Sequence, residues 1–173
     1  MARVRKTLGS TEAPCLMNLK TLIDSLPKRL VAGWSVSYAE THILPVYARL
    51  RPGDKRPALA LEAARGWLLG LHKLPFVRDI ILNQAHAAAR EPGQEPAAQA
   101  AARAVAQAAS AIHSKRHALG LAFYGAAALA YEALGTGAPA AAYQQVFEEL
   151  CAGLTASLEA AARMEAEGEG RAP

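Results

Sequence analysis

The residues best suited to chemistry are His113 and His117, which stand four positions apart in the sequence. On a helix, this spacing places both imidazoles on one face, where they can bind one metal ion or exchange a proton near neutral pH. Tyr124 continues that face, and His86 could supply a third ligand from another helix. The face is therefore interpreted in two ways, as a metal site or as a small pocket with a titratable group.

The neighbouring sequence disfavours a metal. Two basic residues lie between the histidines, no nearby Asp or Glu completes a ligand set, and no His-Glu-x-x-His motif occurs. Hydrogen-bonded core histidines are favoured instead, and no cofactor is expected. The serines lack a nucleophile elbow, Cys15 and Cys151 have no histidine beside them, and no glycine-rich phosphate loop is present. Catalysis is therefore not the favoured prediction.

A second candidate group is the set of charges around a predicted turn, namely Asp54, Arg56, Glu62 and Arg65. Glu62 and Arg65 are three residues apart, which is close enough for an ion pair on one helix. Because that helix is otherwise apolar, at least one of the two is expected to be partly buried, where a charge needs a partner. The favoured interpretation is a structural clamp at the turn, and the alternative is a polar pocket for a ligand or partner.

The elements that must position these residues are helices, because alanine dominates a hydrophobic content of 52% and aromatic residues make up only 6%. Prolines and glycines mark the boundaries, and Pro45 should kink its helix. The helix over residues 56–72 is apolar nearly all round and is therefore predicted to be the central one. The predicted helices cover residues 16–25, 28–50, 56–72, 76–90, 97–114 and 140–165. Between 114 and 134 the chain either continues helically or pivots near Ser114 into a sixth segment that ends by 134.

These patterns predict an all-α fold, a single alanine-rich bundle of about six to seven helices. Residues 15–166 would form one domain between a flexible segment at 1–14 and a flexible tail at 167–173. A net charge of +4 without a basic stripe interleaved with aromatics disfavours nucleic-acid binding. No apolar run approaches the roughly 20 residues of a membrane span and no signal-peptide pattern occurs, so a cytoplasmic protein without membrane contact is expected.

Three stretches carry a resemblance to a known family. They are WxxxYAExHILPxY from Trp34, RPxDxRPxxAxEAARxWxxG from Arg51 and AxHxxxHALGxxFY from Ala111, with HAAAR from His86 before the last of them. In these stretches the chain resembles the immunity-protein-five-like family, which consists of all-helical bacterial proteins associated with polymorphic toxin systems. The resemblance covers residues 30–135, and PxDxRP followed by ExxRxW is its most specific part.

The resemblance implies a protein-binding module that neutralises a toxin and has no catalytic activity. By motif match, the family's polar core would consist of Asp54, Arg56, Glu62, Arg65, His117 and Tyr124, with His42, His86 and His113 as further candidates. Two alternatives remain open. One is a small-molecule or metal-binding protein or enzyme that uses the face of His113, His117 and Tyr124, and the other is an oligomeric helical scaffold that packs against copies of itself.

Overall fold

The structure, a computed structural model, describes residues 4–91 and 93–169. Within these residues the chain forms seven helices and no β-strand, so the predicted all-α fold is confirmed. Two helices contain a π-helical turn, and one is preceded by a 3-10 turn. The helices are α1 (Pro14–Ser25), α2 (Lys28–Tyr38, the π turn Ala39–Ile43 and Leu44–Leu50), α3 (Arg56–Leu68), α4 (Leu74–Ile80, the π turn Ile81–Ala85 and His86–Arg90), α5 (Pro96–Ser110), α6 (Gly120–Leu134, preceded by the 3-10 turn Lys115–Leu119) and α7 (Ala140–Glu169).

The irregularity in α2 lies where the proline predicts it. Pro45 has no backbone N–H and crowds the turn before it, which an unbroken α-helix cannot accommodate. The preceding turn widens into a π-helix, and the backbone N–H of Leu44 bonds to the carbonyl of Ala39. The chain therefore changes direction at Pro45 without ending the helix.

The prediction that residues 56–72 form the central helix is wrong. The central helix is α5, which contacts α2, α3, α4 and α6 and has a continuous series of buried alanines. Helix α3 also ends earlier than predicted, because Gly70 adopts a φ of +77° and closes a Schellman motif. In that motif the N–H of Leu71 bonds to the carbonyl of Gly66 at 2.8 Å. Residues 69 and 71 are consequently directed into solvent and not into the core.

Small residues set the distance between α5 and α6. A Cβ atom added at Gly120 would lie 2.4 Å from the Cβ of Gln107, which is far inside van der Waals contact. Alanines on both helices are fully buried at this contact, so the two backbones approach closely. Of the two alternatives left open after residue 114, the structure has the pivot near Ser114, because the chain turns between α5 and α6 there.

The first described residues of the chain contact α6. Leu8 is buried, its N–H bonds to the carbonyl of Phe123 at 3.2 Å, and Tyr131 donates a hydrogen bond to the carbonyl of Arg5. Residues of the segment predicted to be flexible therefore contact the bundle, and the division into one domain with flexible ends stays a prediction. Helix α7 continues to Glu169, and the rest of the predicted tail lies outside the described residues.

Candidate functional site

A cleft of about 490 Å³ lies between α4 and the chain that leads from α5 into α6. All three candidate histidines of this region reach it, so the structure brings together residues that are up to 31 positions apart in the sequence. We call it the histidine cleft. It is lined by Pro75, Arg78, Asp79, Ile81, Leu82, His86, Ser110, His113 and His117.

Two of the histidines are in direct contact. The rings of His113 and His117 meet edge to face, with centroids 4.7 Å apart. The Nδ1 of His117 lies 2.8 Å from the Oε1 of Gln107. Because an amide oxygen only accepts, Nδ1 carries the hydrogen, and Nε2 is the nitrogen left to meet a ligand. Gln107 thus fixes both the tautomer and the orientation of the ring.

The cleft keeps its histidines neutral. Burial lowers the pKa of His86, and the charges of Arg90 and Arg103 lower it further. The pKa of His113 is lowered by burial, by His117 and by the charge of Arg78. Burial alone lowers the pKa of His117. Each shift disfavours the imidazolium, so the three rings have lone pairs available at neutral pH.

Two further polar groups of the cleft, Ser110 and Asp79, are already hydrogen-bonded. Ser110 is buried and donates to the carbonyl of Ala106 at 2.8 Å, so its hydroxyl is not an activated nucleophile. Asp79 accepts a hydrogen bond from the Nδ2 of Asn83 at 2.8 Å. No group of three or more metal-binding side chains forms among the described residues, the three histidines included. The arrangement therefore favours a pocket over a metal centre.

A separate cluster of charges joins the α2–α3 turn to the end of α4. Asp54 accepts hydrogen bonds from the Nη2 of Arg56 and from the hydroxyl of Tyr47, both at 2.6 Å, and its Oδ1 accepts from the backbone N–H of Arg56. Arg56 also pairs with Glu91, whose other oxygen accepts from Arg51 at 2.6 Å. We call these residues the turn cluster.

The electrostatics of the turn cluster agree with the predicted clamp. The guanidinium of Arg56 holds the pKa of Asp54 far below its usual range, and Arg56 and Arg51 lower the pKa of Glu91. The side chain of Asp54 is only 16% exposed, so screening by solvent is limited. Each carboxylate has a cationic partner, which is the arrangement of a structural clamp.

The remaining predicted site residues do not join either group. Arg65 pairs with Glu40 on α2 instead of the expected Glu62, and Glu62 is exposed. His42 is also exposed, with its ring 4.3 Å from that of Tyr38. Tyr124 is half-buried on α6 and does not line the histidine cleft. A single polar core made of all six motif residues is therefore not what the structure contains.

No pattern in the sequence singles out Gln107, Arg78 or Glu91. Gln107 lies ten residues before His117 on the other side of a turn, and Glu91 follows the end of α4. Arg78 and Asp79 are ordinary surface residues of α4 by sequence. Arg78 and Asp79 reach the histidine cleft only because α4 packs against α5.

Apolar side chains are exposed on the connection from α3 into α4 and on α4 itself. Leu71 is 71% exposed and Phe76 is 51% exposed, and Leu69 lies in the same connection between α3 and α4. Phe76 contacts the ring of His72, with centroids 5.0 Å apart, and its neighbour Pro75 lines the cleft. Leu82 extends this apolar surface into the cleft. We call Leu69, Leu71, Phe76 and Leu82 the apolar rim; exposed apolar groups of this kind mark binding surfaces.

The fold and the cleft together define an all-helical protein with an open cleft, basic and apolar at its edge. A family model described as "Imm-5 like putative immunity protein" matches residues 21–157, and the chain belongs to that family. The resemblance seen in the sequence is thereby confirmed. Searches of curated proteins and of solved structures found no match. None of the helices in the described ranges combines the length and apolar character of a membrane span.

Proposed function

We propose that this protein is an immunity protein that binds a protein toxin in the bacterial cytoplasm and neutralises it without catalysis. The observation that carries the proposal is the family match, which extends over residues 21–157. Neutralisation by binding needs a surface and no reactive group, and the hydrogen-bonded serine and paired carboxylates described above agree with that requirement.

The toxin binds on the apolar rim and the mouth of the histidine cleft. Stable interfaces have apolar and aromatic side chains at the centre and charged groups at the edge. Phe76 and Leu71 supply the apolar part, and Arg78 supplies a charge beside them. The turn cluster lies within the protein's own helix connections and fixes the scaffold instead of contacting the toxin.

Co-purification with the products of the neighbouring genes, tested for toxin activity, tests the proposal. The wild-type protein should retain the toxin and abolish its activity. Phe76→Ser should weaken the complex at least about tenfold, as expected for an aromatic residue at the centre of an interface. Met164→Ser is the matched control, because Met164 is 73% exposed on α7, outside the cleft and its rim. Binding that Phe76→Ser leaves unchanged would move the interface elsewhere, and no binding to any neighbouring gene product would reject the toxin role.

A small-molecule site in the histidine cleft is the second candidate function. Its volume of about 490 Å³ lies within the roughly 300–1,000 Å³ of ligand pockets. Native mass spectrometry and elemental analysis of the purified protein test this candidate. A stoichiometric bound molecule or transition metal that His113→Asn removes would support it, while a ligand-free mass with no cleft-dependent binding would reject it.

A further inference from the structure

We propose that the histidine cleft is a binding site for an oxyanion, a phosphate or carboxylate group held between Arg78 and the imidazoles of His86, His113 and His117. This site does not depend on the proposed toxin partner. The proposal rests on the geometry of the cleft, on the charges that surround it and on the hydrogen-bonding groups left unused inside it.

Cations predominate around the cleft. They come from several elements, and their charges reach the imidazoles, as the lowered pKa values of His86 and His113 indicate. An anion in the cleft would therefore be attracted from several sides. The charged and titratable groups of the elements packed around it are Arg78, Asp79, His86 and Arg90 on α4, Arg103 on α5, His113, Lys115, Arg116 and His117 on the connection, Tyr124 on α6, Lys28 on α2 and Asp24 on α1.

The carboxylates near the cleft do not cancel these charges. Asp24 is bound by Arg116, with a distance of 3.1 Å between Nε and Oδ1. Asp79 is the only acidic residue in the described lining, and it is exposed and hydrogen-bonded to Asn83. Arg78 forms no ion pair with the described residues, although it lines the cleft. A guanidinium without a carboxylate is suited to bind a planar or tetrahedral oxyanion.

The imidazoles can supply the second half of the site. The Nδ1 of His117 is occupied by Gln107, which leaves Nε2 for a ligand. A neutral Nε2 accepts hydrogen bonds, so it binds an oxyanion only after taking up a proton or when the oxyanion is itself protonated. Binding should therefore be accompanied by proton uptake, and affinity should rise as the pH falls toward the ordinary histidine pKa of about 6.5.

A metal cation fits the same cleft less well. Arg78, Arg90 and Arg103 would repel it, and their charges act on the histidines that would be its ligands. Zinc sites normally have ligands oriented by carboxylates or carbonyls in the second shell, and only His117 has such a partner here. The positive charges of the three arginines, which repel a metal ion, attract an anion.

The five histidines permit a direct test by NMR of the imidazole signals during titration with inorganic phosphate and, separately, with acetate. His86, His113 and His117 should shift with added anion and show higher pKa values in its presence. His42 and His72 lie outside the cleft and serve as internal controls. The two anions distinguish a phosphate site from a carboxylate site. Equal small shifts of all five rings with both anions would overturn the proposal.

Two substitutions on α4 sharpen the test. Arg78→Gln should weaken phosphate binding about tenfold, because it removes the charge-assisted contact. Asp79→Asn should strengthen binding severalfold, because it removes the one acidic group of the lining. Both residues are exposed, so the variants should fold; Arg163→Gln on α7 is the matched control for a lost surface charge. Unchanged affinity in both cleft variants would also overturn the proposal. If the protein binds the anion but forms no complex with any toxin, the anion site is supported and the immunity role is rejected.

Discussion

Asp54 connects α2 and α3 through one carboxylate. It accepts hydrogen bonds from Tyr47 on α2 and from both the side chain and the backbone of Arg56 at the start of α3. Arg56 extends the connection to Glu91 at the end of α4. Hydrogen bonds to a charged partner stabilise more than neutral ones do, and here the carboxylate is largely shielded from solvent.

Asp54→Asn should therefore lower the free energy of unfolding by about 1–3 kcal/mol at neutral pH. Because the folded-state pKa of Asp54 lies below the unfolded value, its stabilisation is present above about pH 4 and is lost as the pH falls through the folded pKa. Urea unfolding at several pH values measures both the free energy of unfolding and its dependence on pH. Tyr47→Phe should cost about 1 kcal/mol and retain the acid dependence. An Asn variant as stable as the wild type would show that the clamp contributes nothing.

His86 should make the protein less stable in mild acid. Its pKa is lowered in the folded state, so the unfolded chain takes up more protons as the pH falls through about 6.5. The free energy of unfolding should therefore decrease from pH 7.5 to pH 5.5. Urea denaturation in a buffer without phosphate measures it. His86→Gln should reduce the slope, while Met164→Ser, at an exposed position without a titratable group, should leave it unchanged. Equal slopes in all three proteins would contradict the assignment.

At the scale of elements, the contact between α5 and α6 controls both packing and the cleft. Gly120→Ala would place a Cβ atom 2.4 Å from that of Gln107, so the helices must separate or Gln107 must move. We expect a loss of about 1–3 kcal/mol from overpacking. We also expect an altered NMR signal for His117, because Gln107 binds its Nδ1.

Gly153→Ala is the matched control for that substitution. Gly153 is also helical, but an added Cβ would meet only the hydroxyl of Tyr38, at an ordinary 3.7 Å. Alanine is the better helix former, so this variant should be neutral or up to about 1 kcal/mol more stable. If Gly120→Ala behaves in the same way as Gly153→Ala, the close approach of α5 and α6 is not required.

The elements could be predicted from local sequence, whereas their contacts could not. Two boundaries follow from the prolines at positions 27 and 96, and the irregularity inside α2 follows from Pro45, since proline acts on its own turn. Helical spacing is local information, and it predicts Glu62 as the partner of Arg65. The partner in the structure is Glu40, which is 25 residues away on another helix. The predicted helical face of His113, His117 and Tyr124 is wrong, because His113 lies in the turn after α5, His117 lies in the 3-10 turn before α6, and Tyr124 does not line the cleft. The two histidines still meet at the cleft, where Arg78 and Gln107 join them only through tertiary packing. The central position of α5 likewise depends on how closely alanines pack, which a hydrophobicity pattern does not measure.

At the scale of the whole molecule, α7 closes the bundle against α1, α2 and α6. The indole N–H of Trp34 donates to Ser157 at 3.0 Å, which ties α2 to α7. Cys151 of α7 is fully buried and contacts the thiol of Cys15 on α1. Cys151 is therefore exposed only when α7 separates from its neighbours.

Alkylation of Cys151 should therefore report the opening of the whole bundle. Burial raises the pKa of its thiol, so both access and thiolate formation are suppressed in the folded state. In the Cys15→Ser variant, which leaves Cys151 as the only cysteine, iodoacetamide should react at a rate that follows the unfolded population as urea is added. Mass spectrometry measures the rate, and full denaturation gives the unprotected reference. Reaction in native buffer as fast as in that reference would mean that α7 is not held against α1, and the single-bundle packing would be wrong.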